Sequence, residues 1–150
     1  MNYEFLLDDL NLLKSQKAIG TDKGLAKLGD GIVNLSYSVA KSIYLTKNNS
    51  NNTISRTGLK VSKRILANAI KNAEMRKFAK NRADSHDLAD TVEALVAYVW
   101  LSNNITLNEI IDLLHRNLAG NLYNRQEEIS NATIAFTELL NNIKKFLPDK

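Results

Sequence analysis

Apolar residues recur along this chain at intervals of three and four, the period of an α-helix, and no stretch alternates as a half-buried strand would. Residues 3–14 carry Phe5, Leu6, Leu10 and Leu13 at that spacing, which predicts a first helix. A second runs over about 22–45, with Leu25, Leu28, Ile32, Leu35 and Val39 as its buried side. The Asn-rich segment 46–59 has little apolar surface to bury, and a mobile internal loop is expected there. The helical period resumes over 62–75, where Ile65, Leu66, Ala69 and Ile70 form one face and basic residues the other. Residues 85–101 are the most apolar. Leu88, Val92, Leu95, Val96, Val99 and Trp100 cover well over half the circumference, so this helix is expected at the centre.

Thr106, Leu107, Asn108 and Glu109 spell a capping box, which starts a helix burying Ile110, Ile111, Leu114 and Leu118 and ending before Gly120. Asn124 to Glu127 looks like a second such start. The last helix then turns Ile129, Ala132, Phe136, Leu139, Leu140 and Ile143 inward and ends ahead of Pro148. The pattern predicts an all-α protein forming one domain over 1–150. Gly24, Gly29 and Gly31 fall in the first turns of the second helix. Each costs roughly 1 kcal/mol relative to alanine in a helix interior, so together they predict a close backbone approach or a bend.

Composition narrows the class. Hydrophobic residues make up 44% of the 150 and charged residues 24%, as in ordinary globular proteins. The longest apolar stretch, 95–101, is too short for a bilayer, and the N-terminus lacks the basic start and apolar run of a secretory signal. The absence of cysteine excludes disulfides, thiolate zinc and a cysteine nucleophile. A cytoplasmic protein with no membrane association is expected. The net charge of +4 is unevenly spread: Lys60, Lys63, Arg64, Lys71, Arg76, Lys77, Lys80 and Arg82 have only Glu74 among them, while acids gather at Asp8–Asp9, over 84–93 and at Glu127–Glu128. A basic stretch beside an acidic one suits a metal-dependent enzyme acting on a polyanion, and equally a solvated helix face.

Two acidic features interrupt apolar helices. Asp90 and Glu93, three apart, share one face of the central helix with His86 and Ala97. Burying carboxylates there is costly unless they are paired or hold a cation. Asp30 lies between Gly29 and Gly31 among Leu28, Ile32 and Val33, with Asn34 one turn on. Its glycine neighbours leave room for a metal or phosphate to approach. Three oxygen donors without a thiolate suit Mg²⁺ or Mn²⁺ better than zinc. Three unrelated solvent-facing carboxylates satisfy the same periodicity.

The segment Gly24-Leu25-Ala26-Lys27-Leu28-Gly29-Asp30-Gly31-Ile32-Val33-Asn34-Leu35 resembles the first signature of ribonuclease III, built on a Leu-Gly-Asp core. Leu88-Ala89-Asp90-Thr91-Val92-Glu93-Ala94-Leu95-Val96 resembles the second, in which Ala-Asp-x-x-Glu-Ala-Leu stands out. The resemblance covers roughly residues 20–120. It implies an all-helical endonuclease domain that works as a homodimer and hydrolyses double-stranded RNA with Mg²⁺, with Asp30, Asp90 and Glu93 as catalytic metal ligands. Helix geometry adds Asn34 and His86 as outer partners. The chain departs from standard ribonuclease III at Ala26 and Lys23, four and seven residues before Asp30, where that family carries acids. The Mini-III branch shares the alanine but tends to lack Asp90, so the chain looks most like a divergent, archaeal-type member reduced to the endonuclease domain. No separate double-stranded-RNA-binding domain is expected. RNA contacts are therefore expected from Lys63, Arg64, Lys71, Arg76 and Lys77, with Arg125 and the Asn-rich loop as further candidates.

Three readings follow: a metal-dependent endoribonuclease on structured RNA; a non-catalytic RNA-binding or ribosome-associated protein that kept the fold, with Ala26 as the mark of lost chemistry; and a helical interaction protein without RNA. Dimerisation is expected from the resemblance, and because the apolar central helix has more hydrophobic surface than one core side needs.

Overall fold

Six helices start where the sequence supplies a cap. The side chains of Ser15, Asp22, Ser62, Asp84, Thr106 and Asn124 each accept a backbone N–H from the first turn that follows. In the computed structural model, which describes residues 2–150, the helices are α1 (Asp8–Leu13), α2 (Gln16–Gly20), α3 (Lys23–Lys47), α4 (Lys63–Asn72), α5 (Ser85–Leu101), α6 (Leu107–Arg116) and α7 (Arg125–Ile143). Single 3₁₀ turns at Glu4–Leu7, Arg76–Phe78 and Lys144–Phe146 lead into α1, follow α4 and continue α7. The Thr106–Glu109 capping box forms as the sequence predicts. The described residues contain no β-strand, and none of their helices is long and apolar enough to cross a membrane.

α5 is the central element, packed by α2, α3, α4 and α7. Leu88, Val92, Leu95, Val96, Ala97 and Val99 are all buried within this one chain, against partners such as Val33, Tyr37 and Phe136. Most of its apolar surface is thus used within the chain, with Tyr98 and Trp100 half-buried. The expected buried stripe on α3 is only partly correct: Leu25 is buried, Ile32 and Val39 are half-buried, and Leu28 and Leu35 stand 47% and 51% exposed. The core side is Ala26, Gly29, Val33, Ser36, Tyr37 and Ala40. Leu35, Val39, Ile43 and Ile54 line an open groove of about 820 Å³ along the outer side.

Two further expectations need correction. The first helix is a 3₁₀ turn leading into α1, and it buries Leu7 and Leu10 while Phe5, Leu6 and Leu13 face solvent. α2 lies in a stretch with no predicted element. It is too short to show a period, and it is fixed by non-local bonds: Gln16 Nε2 donates to the Pro148 carbonyl and Thr91 Oγ1 to the Gly20 carbonyl, both at 2.8 Å.

The polar segment after α3 is also less free than expected, because its second half is bonded to α3 by side chains. Ser38, Ser42 and Thr46 stand four residues apart on one stripe of the helix. Their hydroxyls accept from the N–H groups of Leu59, Thr57 and Ser55 at 3.0, 2.9 and 2.9 Å. The Ser38 and Thr46 hydroxyls also donate to the carbonyl of the same residue, both at 3.3 Å, while the Ser42 hydroxyl donates to the Ser38 carbonyl at 2.8 Å with the Thr57 carbonyl farther off at 3.3 Å. Asn34 continues the stripe, its Oδ1 accepting from Val61 N–H at 2.8 Å. Four rungs thus lay residues 55–61 antiparallel along α3.

A buried ionic cluster joins α3 to α7. Tyr37 Oη and Lys41 Nζ donate to Glu128 Oε2 at 2.9 and 2.6 Å, and Arg125 donates to Oε1 at 3.1 Å. Burial alone would raise the Glu128 carboxyl, but Lys41, Tyr37 and Arg125 more than offset it and hold the group below the usual glutamate value. Arg125, a candidate RNA contact on sequence, is engaged here.

Candidate active site

The site exists because α3 and α5 touch backbone to backbone. A Cβ on Gly29 would lie 1.8 Å from the Glu93 carbonyl oxygen, so only glycine permits this crossing. Gly31 has nothing within 4 Å of its Cβ position. Of the two outcomes that the glycines predict, a close approach is the one realised, and it is realised at Gly29.

The crossing sets Asp30, on α3, beside Glu93, on α5. Together with Asp90 they line a pocket of about 340 Å³, so the three acids singled out from the sequence converge. The Asp30 and Glu93 carboxyls interact and shift each other in opposite directions. Burial first, then the hydrogen bond to and charge of Asp30, push the Glu93 pKa up to about 8. The bond from Glu93, helped by Lys60 and Asn34, keeps Asp30 ionised and below its usual value despite partial burial. Asn34 Nδ2 donates to Asp30 Oδ1 at 3.2 Å while its Oδ1 is fixed by Val61, so it orients that carboxylate from the end of the ladder. His86 is exposed in the first turn of α5 and does not line the pocket.

Lysines rim the acids. Lys60 Nζ lies 3.1 Å from Asp30 Oδ1, Lys63 Nζ 3.3 Å from Asp90 Oδ1 and Lys23 Nζ 3.5 Å from Asp90 Oδ2. Lys27 and Ala26 complete the lining. Of the basic residues expected to face RNA, Lys63 enters the pocket, and Arg64, Lys71, Arg76 and Lys77 are exposed. The sequence reading missed the ionic role of Lys23 and Lys60. Lys60 belongs to a segment placed by the ladder rather than by any helical period, and Lys23 stood out only as a departure from the family pattern.

Three carboxyl oxygen donors with no thiolate match a hard divalent ion in chemical type. Among the described residues no group of three or more His, Cys, Asp or Glu side chains stands ready around one point. Lysine ammonium groups lie against the Asp30 and Asp90 oxygens instead.

The raised pKa carries a stability consequence. In the unfolded chain Glu93 ionises near its ordinary 4.5, and in the folded protein near 8. The folded state therefore binds the extra proton between those values, and the stabilisation, complete at acid pH, is lost as pH rises through about 8. In chelator, Glu93→Gln should flatten the fall in thermal midpoint between about pH 5 and about pH 8. Parallel wild-type and variant curves would count against the raised Glu93 pKa.

An all-α fold wrapped on a central apolar helix, with acids from two crossing helices meeting beside it, defines the class: a ribonuclease III-like endonuclease domain. The chain matches the family model described as Ribonuclease III over residues 23–148 and belongs to that family. The match extends past the expected limit near residue 120 to take in α7. A search of curated proteins gave no match. At family level the chain is of the RNA-cleaving endoribonuclease type, and the family generally uses a divalent metal.

Proposed function

We propose that this protein is a cytoplasmic, Mg²⁺- or Mn²⁺-dependent endoribonuclease that hydrolyses phosphodiester bonds of double-stranded or structured RNA as a homodimer. The convergence of Asp30, Asp90 and Glu93 in one pocket of a ribonuclease III family chain carries this reading. Held by these three carboxylates, a hard divalent ion would supply an activated water and neutralise charge on the scissile phosphate. The chain's own residues prepare for that. Gly29 keeps α3 against α5, Asn34 orients Asp30, and Glu93 gives up the proton that it holds in the form described. The exposed cations Arg64, Lys71, Arg76 and Lys77 would take duplex phosphates, so binding should weaken steeply with salt. His86, away from the pocket, has no part in the chemistry.

A dimer is supported by α3. Leu28 and Leu35 are exposed on one side of this helix, and Leu35 lines the apolar groove together with Val39, Ile43 and Ile54, a contiguous apolar patch that a second copy could cover. One strand of a duplex would then fall to each copy.

A second reading, RNA binding without cleavage, draws support from the ion pairs on Asp30 and Asp90 and from Ala26 in the pocket lining. One experiment separates the two. Purified protein is incubated with duplex RNA in Mg²⁺, Mn²⁺ or excess EDTA. The nuclease reading expects cutting with metal, none in EDTA, and a loss of at least about a hundredfold in Asp30→Asn, or ~2.7 kcal/mol of transition-state stabilisation. Cutting that survives EDTA overturns the metal mechanism. Retention of RNA without any cutting establishes the second reading.

A further inference from the structure

The pocket contains more positive charge than its carboxylates need. Lys23, Lys27, Lys60 and Lys63 line it with only Asp30, Asp90 and Glu93. Asp90 faces two ammonium groups, one at each oxygen. That trio has an unbalanced positive charge, which is what the single negative charge of a phosphodiester would neutralise.

Both lysines also occupy positions that local helix energetics disfavour. Lys23 is the first residue of α3 and Lys63 the first of α4, where a cation meets the positive end of the helix dipole. Violations of a local rule gather where function supplies the compensation. Two helices separated by the Asn-rich segment each bring such a lysine to the same carboxylate. Lys63 is 35% exposed and Lys23 73% exposed at the side chain, so both ammoniums remain within reach of a ligand entering from solvent.

We infer that Lys23 and Lys63, held on Asp90, form a two-ammonium seat for a nonbridging oxygen of an RNA phosphodiester, occupied without any divalent ion. Asp90 is then a positioning residue for the pair as well as a candidate ligand, and the lysines compete with a metal ion for its oxygens. This rests on RNA as the substrate proposed above, but not on its being cut.

The test uses the full chain and two readouts other than activity. In EDTA, wild-type protein should retain duplex RNA. Lys23→Ala and Lys63→Ala should each weaken that binding by about fivefold and lower the salt slope by about one, while Lys63→Arg keeps it. With no RNA present, Lys63→Ala should bind Mn²⁺ about fivefold more tightly by calorimetry, because an ion pair with Asp90 no longer opposes the metal. Lys145→Ala, outside the pocket, serves as the control and should leave Mn²⁺ affinity unchanged. The inference is overturned if wild-type protein fails to bind RNA in EDTA, if the lysine variants match wild type in either readout, or if Lys145→Ala shifts Mn²⁺ affinity equally. Should the lysine pattern hold while no cleavage is ever seen, the seat stands and the nuclease reading alone falls.

Discussion

Gly29→Ala is expected to lower the thermal midpoint by about 6 °C and to dismantle the pocket in the same step. The added methyl would sit 1.8 Å from the Glu93 carbonyl oxygen, a contact with backbone on a central helix, so relief requires α3 and α5 to separate. Overpacking of this kind costs about 3 kcal/mol or more, against a gain of only about 1 kcal/mol from replacing a helical glycine. Separation also takes Asp30 away from Glu93, so the variant should lose the pH-dependent stability tied to the raised Glu93 pKa. Gly31→Ala, two residues on and facing open space, is the internal control. It should hold or slightly raise the midpoint. Equal behaviour of the two variants in thermal unfolding would mean that the helix crossing does not depend on glycine.

Glu128→Ala is expected to be comparably damaging, at about 3–5 kcal/mol, although Glu128 lies outside the site. The carboxylate is the common acceptor of Tyr37, Lys41 and Arg125. Its removal strands the Lys41 ammonium, whose side chain is 13% exposed, and the fully buried Tyr37 hydroxyl, each without a counterpart. Arg125→Ala should cost less than about 1 kcal/mol, since that side chain is largely in solvent and leaves Glu128 with two donors. Urea unfolding of the two variants and of Lys41→Ala with its double mutant would measure the coupling. A small effect of Glu128→Ala would show that the cluster is hydrated and not sealed between α3 and α7.

Much of this architecture could be read in advance from the sequence. The helix starts were legible because Thr106, Asn124 and their neighbours state their capping chemistry locally. Central placement of α5 followed from apolar residues all round it. The site was legible in part: acids set in apolar helices, with a glycine beside one of them, marked the crossing of α3 and α5. The face of α3 was misread for a physical reason. Where helices pack closely the interface favours small side chains, and here Ala26, Gly29 and Ser36 lie inward while Leu28 and Leu35, the bulkier and seemingly core-like residues, lie outward. A hydrophobicity pattern weights size and so selects the wrong side. The Glu128 cluster and the lysine pairs were invisible because they join residues far apart in sequence, such as Tyr37 with Glu128 and Lys23 with Asp90.

The hydroxyl ladder on α3 imposes a counting rule on the chain. Four helical residues advance about 6 Å and two extended residues about 6.7 Å, so rungs at 34, 38, 42 and 46 match partners at 61, 59, 57 and 55 with little drift. Adding or removing a single residue between Ser55 and Val61 would reverse every side chain on one side of the change, moving Lys60 off Asp30 and swapping which amides are bonded. Length in that stretch can therefore drift only by twos, whereas the turn at 48–53 tolerates any increment. Among homologous chains, odd-numbered gaps should collect in the turn and be missing from the ladder.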